Sequence, residues 1–204
     1  MINLPSVTLI ALTGINIEQH RKALEYSCRG INFGAVKLIE KESPNVDEWC
    51  RKIVFDLGDY VDTSHCLLIH ADGYVVNPEM WKDEWLGLDY LGSPWPLPND
   101  TYSYRTPTGE LIRVGNSVGL RSKKLLDLPK KLNLPWKSWF NNFNEDGFLC
   151  CHHRAELQKN GCVFGTFEQA LEFGRETVLS ENTGKDTFLF HDFGGENEKY
   201  RGLI

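Results

Sequence analysis

Residues 7–12 (VTLIAL) form a β-prone run that is apolar on both faces and ends at Thr13-Gly14. A strand with no polar face cannot lie against water, so it belongs inside a sheet covered on both sides. The chain that follows carries the punctuation of such a sheet. Asn16, with Gln19 three residues on, reads as a capping box opening a helix that Gly30 closes. Residues 35–39 read as a second strand, and a helix starts after Pro44 and runs through Trp49, Ile53 and Val54. Residues 66–69 read as a third strand, leading directly into His70-Ala71-Asp72-Gly73-Tyr74. Strand, helix, strand, helix, strand at this spacing implies right-handed crossovers and an α/β sheet. Ligands of such sheets bind beyond the carboxyl ends of the strands. Here those ends are Thr13-Gly14 and His70-Ala71-Asp72-Gly73.

The second half departs from the βα repeat. A turn at Thr108-Gly109 opens a strand over 111–120 with mixed-sheet character. A helix begins at Glu145-Asp146 and passes through Cys150 and Leu157 to Gly161. A short strand over 162–164, a helix over 166–173 and an aromatic tail over 188–193 follow. With no internal repeat or linker, residues 1–204 read as one domain.

Composition narrows the function. A net charge of −6 argues against a surface for phosphate backbones, which needs clustered Lys and Arg, so nucleic acid is not an expected partner. Met1-Ile2-Asn3-Leu4-Pro5 lacks the basic start and apolar stretch of a signal peptide, and the apolar runs are too short for a transmembrane segment. Cys28, Cys50, Cys66, Cys150, Cys151 and Cys162 lie largely in apolar or amphipathic segments and read as buried free thiols. The expectation is a soluble, intracellular, cytoplasmic protein. Aromatic stretches such as Ser93-Pro94-Trp95-Pro96 and residues 134–140, with Trp136 and Trp139, either line a cleft or pack loops on the core.

Four places could carry chemistry. Asp72, a carboxylate directly after a buried strand and beside Gly73, suits a hard divalent cation approached by a bulky anion; the alternative is a plain Asp-Gly turn. Glu145 and Asp146 at a helix start either cap the helix or, kept ionised by its dipole, supply a general base. His191, among aromatics and before Gly194-Gly195, offers an imidazole to a metal from a tail folded over a cleft; a packed histidine is the plainer reading. In Val114-Gly115-Asn116-Ser117-Val118-Gly119 the two strand glycines imply close approach by a ligand or by backbone. Cys150-Cys151-His152-His153 has no zinc-site spacing. No P-loop, G-x-G-x-x-G or G-x-S-x-G is present.

Taken in order, the strand ending in a small polar turn, the hydrophobic-x-D-G motif, D-Y-L-G-S-P-W, V-G-N-S-V-G-L-R-S, the N-E-D segment and the late His resemble small GT-A-fold glycosyltransferase-like domains. Among these are a family of unknown function and the first domain of a multidomain algal-virus glycosyltransferase. The resemblance runs from about Val7 to His191. It implies an α/β fold: a GT-A-like three-layer α/β/α domain with a mixed, mostly parallel central sheet. It implies a metal-dependent glycosyltransferase moving sugar from a UDP-sugar donor to a glycan acceptor hydroxyl, with no need of a protein acid because the leaving group is a metal-bound diphosphate. Asp72 and His191 would hold Mn²⁺ or Mg²⁺. Leu12 and Thr13 would face the nucleotide base, with Ala71 and Gly73 beside the donor. Ser93, Trp95, Gly115 and Asn116 would border the sugar and acceptor cleft. Asp146, or else Glu145, would be the base, and Trp136 and Trp139 would help to recognise the acceptor. The sequence departs from the family at His70, which replaces the first Asp of D-x-D. The alternatives are a nucleotide-sugar-binding module without turnover and a nucleotidyltransferase.

Overall fold

The computed structural model describes residues 1–136 and 144–204. Its centre is a five-stranded sheet of β1 (Ile2–Thr13), β2 (Ile31–Glu40), β3 (His65–Leu68), β4 (Tyr90–Pro94) and β5 (Val114–Ser122), in the order β2-β1-β3-β5-β4. β1 pairs in parallel with β2 and β3, while β5 is antiparallel to both β3 and β4. All strands but β5 therefore share one direction, which makes the sheet mixed and mostly parallel.

The two-faced apolar run explains the layers. Alternate residues of a strand point to opposite faces. Leu9 and Ala11, with Leu67 and Ile69, pack with Ala23 and Leu24 of α1 (Ile17–Ser27). Ile10 and Leu12, with Cys66 and Leu68, pack with Ile53 of α2 (Val46–Phe55) and Leu126 of α3 (Lys123–Lys131). The result is α/β/α. Leu9, Ile10, Leu67 and Leu68 are fully buried, and each contributes about 1.5–3 kcal/mol.

Several local expectations change. Asn45 caps α2, its Oδ1 accepting from the Glu48 N–H at 2.9 Å. No capping box forms at α1: Asn16 is left-handed (φ 50°) and its side chain makes no cap. Gln19 is thereby left free to line a cavity. The strand expected over 111–120 starts at Val114, and Leu111 only bridges Arg105. Ser93 and Pro94, which read as loop, belong to β4.

The helix expected from Glu145 to Gly161 is interrupted. One α turn, α4 (Glu145–Gly147), passes into a π segment, Phe148–His152, before α5 (Arg154–Lys159). The wider π turn lets Phe148, Leu149, Cys150 and Cys151 all face inward, whereas an α-helix spreads four successive residues around its circumference. Residues 162–164 supply only a bridge from Phe164 to Tyr90. α6 (Phe167–Phe173) opens with a complete capping box between Thr166 and Gln169. It leads into a small parallel pair, β6 (Gly174–Arg175) and β7 (Leu189–Phe190). All six cysteines are free. Among the described residues, no helix is long and apolar enough to cross a membrane.

Between Leu91 and Ser93 β4 advances two residues while β5 advances five, from Leu120 to Gly115, so β5 carries a large bulge. The glycines of β5 flank it. A Cβ on Gly115 would lie 1.8 Å from the Trp95 ring, and one on Gly119 would lie 2.7 Å from the Leu91 carbonyl oxygen. Their lack of side chains serves internal packing. Gly115→Ala is expected to displace Trp95 and cost about 1–3 kcal/mol through overpacking. Thermal melting with tryptophan fluorescence checks this, and an unshifted melt with unchanged emission would refute it.

Candidate active site

A cavity of ≈ 920 Å³ opens beyond the carboxyl ends of β1 and β3. Leu12, Thr13, Ala71 and Asp72 line it, as the sheet topology predicts, together with Gln19, His20, Trp49 and His70. Its floor is held by backbone acceptors. The Trp49 indole N–H donates to the Leu12 carbonyl at 2.8 Å. Thr13 Oγ1 donates to the Ile15 carbonyl at 2.7 Å and accepts from the Ile15 N–H at 3.1 Å, fixing the turn that follows β1. Phe193, Arg201 and Ile204 also line the cavity, so the C-terminal segment folds against it.

At the cavity's inner edge His70, Asp72 and His191 offer ligand atoms within 4.8 Å of one another. The small β6-β7 pair brings His191 there. The His191 N–H donates to the Arg175 carbonyl at 2.9 Å, and the Asp192 N–H donates to the Asp72 carbonyl at 2.8 Å. Asn197 ties the segment down, its amide donating to the carbonyls of His191, Asp192 and Arg175. His191 Nε2 lies 3.8 Å from Asp72 Oδ1 and 3.3 Å from His70 Nδ1. A carboxylate oxygen and two ring nitrogens this close form a donor set that fits one divalent ion.

The histidines shift in different directions. Burial pushes the His70 pKa well down, helped by the positive charge of His191, His20 and Arg121 around it. Burial likewise lowers His20, whose Nδ1 lies 2.9 Å from the Asn16 carbonyl. Burial also acts to lower His191, but the Glu176 carboxylate, 3.2 Å from Nδ1, outweighs it and the net shift is upward.

The bulge in β5 links this cluster to Asp146. Asn116 takes a positive φ of 91°, a conformation Asn tolerates better than most residues. Its side chain accepts from the Val118 N–H at 2.9 Å, and its own N–H donates to Asp146 Oδ2 at 3.1 Å. The next residue, Ser117, lies on the other side, with Oγ 3.2 Å from His70 Nε2. Asp146 Oδ1 accepts from the Gly147 N–H at 2.7 Å. Burial, then the neighbouring Glu145 charge, pushes the Asp146 carboxyl up to about 7, against these two backbone donors. This upward shift runs against the direction that the dipole argument from sequence predicts.

The remaining expected site residues are placed differently. Glu145 is 2% exposed and faces inward, with Arg121 Nη2 3.7 Å from its Oε1 and the Cys50 thiol donating to its Oε2 at 3.3 Å. Ser93 is fully buried and Trp95 is 5% exposed, stacked on Tyr104 at 4.7 Å. The structure brings neither to the cavity surface. Gly73 packs against Val118, His191 and the Phe190 carbonyl, where a Cβ would not fit. Trp136 packs edge-on against Phe55 at 6.2 Å, and Trp139 lies outside the described residues. Sequence reasoning missed Glu176, and it gave Ser117 and Arg121 no role of their own although both lie in V-G-N-S-V-G-L-R-S. Glu176 follows a two-residue strand that no periodicity marks.

The fold is shared with a solved structure described as a glycosyltransferase involved in the glycosylation of the major capsid of PBCV-1. The TM-score is 0.61 and the identity 15%, and the match covers 96% of each chain. At that identity the likeness speaks for the fold. No curated protein matches the chain. A family model described as protein of unknown function matches residues 58–191, a span that holds His70, Asp72, Asn116, Asp146, Glu176 and His191. On that match, the chain belongs to the family DUF5672.

Proposed function

We propose that this protein is a GT-A-type glycosyltransferase that transfers sugar from a UDP-sugar to a glycan hydroxyl with the help of a divalent cation, Mn²⁺ or Mg²⁺. The observation that carries the proposal is the meeting of Asp72 and His191, 3.8 Å apart, at the edge of a ≈ 920 Å³ cavity at the sheet's carboxyl end. The fold shared with the PBCV-1 glycosyltransferase supports the same reading. Six free thiols fit a reducing, cytoplasmic setting.

In this reading the nucleoside lies in the cavity, against Thr13, Gln19 and Trp49. Asp72 and His191 would hold the cation, which when bound would supply Lewis-acid stabilisation of the diphosphate leaving group. Asp146 accepts the acceptor hydroxyl's proton while that oxygen bonds to the anomeric carbon and the anomeric carbon–phosphate oxygen bond breaks. A base with a pKa near the working pH is well matched to this task. The backbone donors from Asn116 and Gly147 hold the carboxylate in place.

Calorimetric titration of UDP and GDP, with Mn²⁺ and then with chelator, tests the reading. Micromolar UDP binding that chelator abolishes is the expected result, and absence of binding by either nucleotide would overturn it. The Asp72 side chain is 51% exposed, so Asp72→Asn is expected to remove metal-dependent UDP binding while the melting temperature holds. Parent-like UDP affinity in that variant would take Asp72 out of the site.

A further inference from the structure

We infer that His70 is a direct metal ligand, and that the site therefore selects a nitrogen-seeking transition ion such as Co²⁺, Zn²⁺ or Fe²⁺ over Mg²⁺. The inference deepens the proposed function, since it specifies the cation of the same site.

The geometry around the two imidazoles carries it. His70 Nδ1 and His191 Nε2 face each other at 3.3 Å. Two nitrogens bound to one ion at about 2.0–2.1 Å, at angles between octahedral and tetrahedral, stand about 2.8–3.4 Å apart. Asp72 Oδ1 completes the set, 3.8 Å from His191 Nε2. An oxygen stands beside the outward nitrogen of each ring, within hydrogen-bond distance at His70 and in charge contact, without a hydrogen bond of good geometry, at His191. Ser117 Oγ lies 3.2 Å from His70 Nε2, and Glu176 Oε1 lies 3.2 Å from His191 Nδ1. Metal-ligating histidines have this arrangement, because an oxygen on the outer nitrogen fixes the tautomer and turns the inner lone pair toward the ion.

The selectivity follows from the donor atoms. Mg²⁺ demands oxygen ligands and gives up water reluctantly, so replacing a carboxylate by imidazole weakens it. Imidazole favours the later transition ions, and two imidazoles with one carboxylate leave positions open for further ligands. The diphosphate oxygens of a donor could take them.

The test uses metal alone, without nucleotide. Co²⁺, Zn²⁺ and Mg²⁺ are titrated calorimetrically into the chelator-treated parent, His70→Asp and Glu176→Gln. The parent is expected to bind Co²⁺ at least 10²-fold more tightly than Mg²⁺, and His70→Asp to compress that preference at least tenfold. Glu176→Gln is expected to lose 10- to 100-fold in Co²⁺ affinity, the usual effect of an outer partner. Should His70→Asp fail to fold by circular dichroism, the proton spectrum of the Co²⁺-loaded parent decides instead. Two exchangeable ring N–H signals shifted far outside the diamagnetic range are expected, one from each histidine. Mg²⁺ binding within threefold of Co²⁺, an unchanged preference in His70→Asp, or fewer than two shifted ring signals would each overturn the assignment. UDP is then titrated separately. Tight, His70-dependent Co²⁺ binding without UDP binding would leave the metal assignment standing and remove the glycosyl-transfer reading. Equal UDP binding with Mg²⁺ and Co²⁺ would do the reverse.

Discussion

Asp146→Asn is expected to cut glycosyl transfer by about 10²–10⁴-fold, the range for loss of a general base, while UDP binding persists. The parent's kcat should rise with pH through about 7, where Asp146 ionises, and the variant's residual rate should lack that step. Stability should change in the opposite sense. The folded-state pKa of Asp146 is raised above its unfolded value of 3.8, so the folded state holds the proton more tightly. Between about pH 4 and 7 folding then takes up a proton, and stability falls as pH rises through this window. Above 7 the full penalty is present, about 4 kcal/mol at most at 1.36 kcal/mol per pH unit. Asn cannot titrate, so the stability of Asp146→Asn relative to the parent should grow by up to that amount between pH 4 and pH 8. Urea denaturation at the two pH values measures the difference. A constant offset would mean that Asp146 ionises normally, and parent-like transfer would return it to a structural role.

Arg121→Met is expected to destabilise the fold by about 3–5 kcal/mol, because it strands a buried carboxylate. Arg121 is fully buried, lies over the Tyr90 ring at 5.3 Å and has Glu145 as its ion-pair partner at 3.7 Å. Among the described residues, its guanidinium nitrogens make no hydrogen bond. The pair is thus weakly compensated for its desolvation, and removing both charges should hurt less than removing one. The double variant Arg121→Met/Glu145→Leu is expected to recover most of the loss, as apolar replacements of buried ion pairs often do. Denaturant melts of the two single variants and the double variant close the cycle. Additive losses would show that the two side chains do not act as a pair.

The parts of the fold that were legible in sequence are those where burial on two faces leaves a mark. Residues 7–12 and 66–69 read correctly because both alternating sets of side chains enter a core. β4 did not, because Gly92 and Pro94 look like loop; as a sheet-edge strand it tolerates a proline, having one ladder face to satisfy. Asn16 and Gln19 have the residue types of a capping box, but the turn held by Thr13 and Ile15 delivers Asn16 in a left-handed conformation. Local pattern lost to tertiary geometry there. For the candidate site, Asp72 stood out by its place at a strand end and His191 by its aromatic setting, while His70 read only as the residue that replaces the first Asp of D-x-D. Glu176 was not, since only the pairing of β6 with β7 sets it beside His191. Asp146 stood out in sequence as a candidate base, whereas its upward-shifted pKa depends on burial and on Glu145, which no spacing reveals.

The bulge in β5 has a mechanical consequence. Asn116 grips Asp146 with its backbone and Ser117 touches His70 with its side chain, so one peptide unit is the gauge between Asp146 and the cluster of His70, Asp72 and His191. Loops on either side of the cleft can lengthen, shorten or change composition without altering that gauge. On the proposed function, acceptor preference can therefore drift over evolution, or be redesigned, while the spacing between Asp146 and the His70 cluster stays fixed by two adjacent residues in the middle of a sheet.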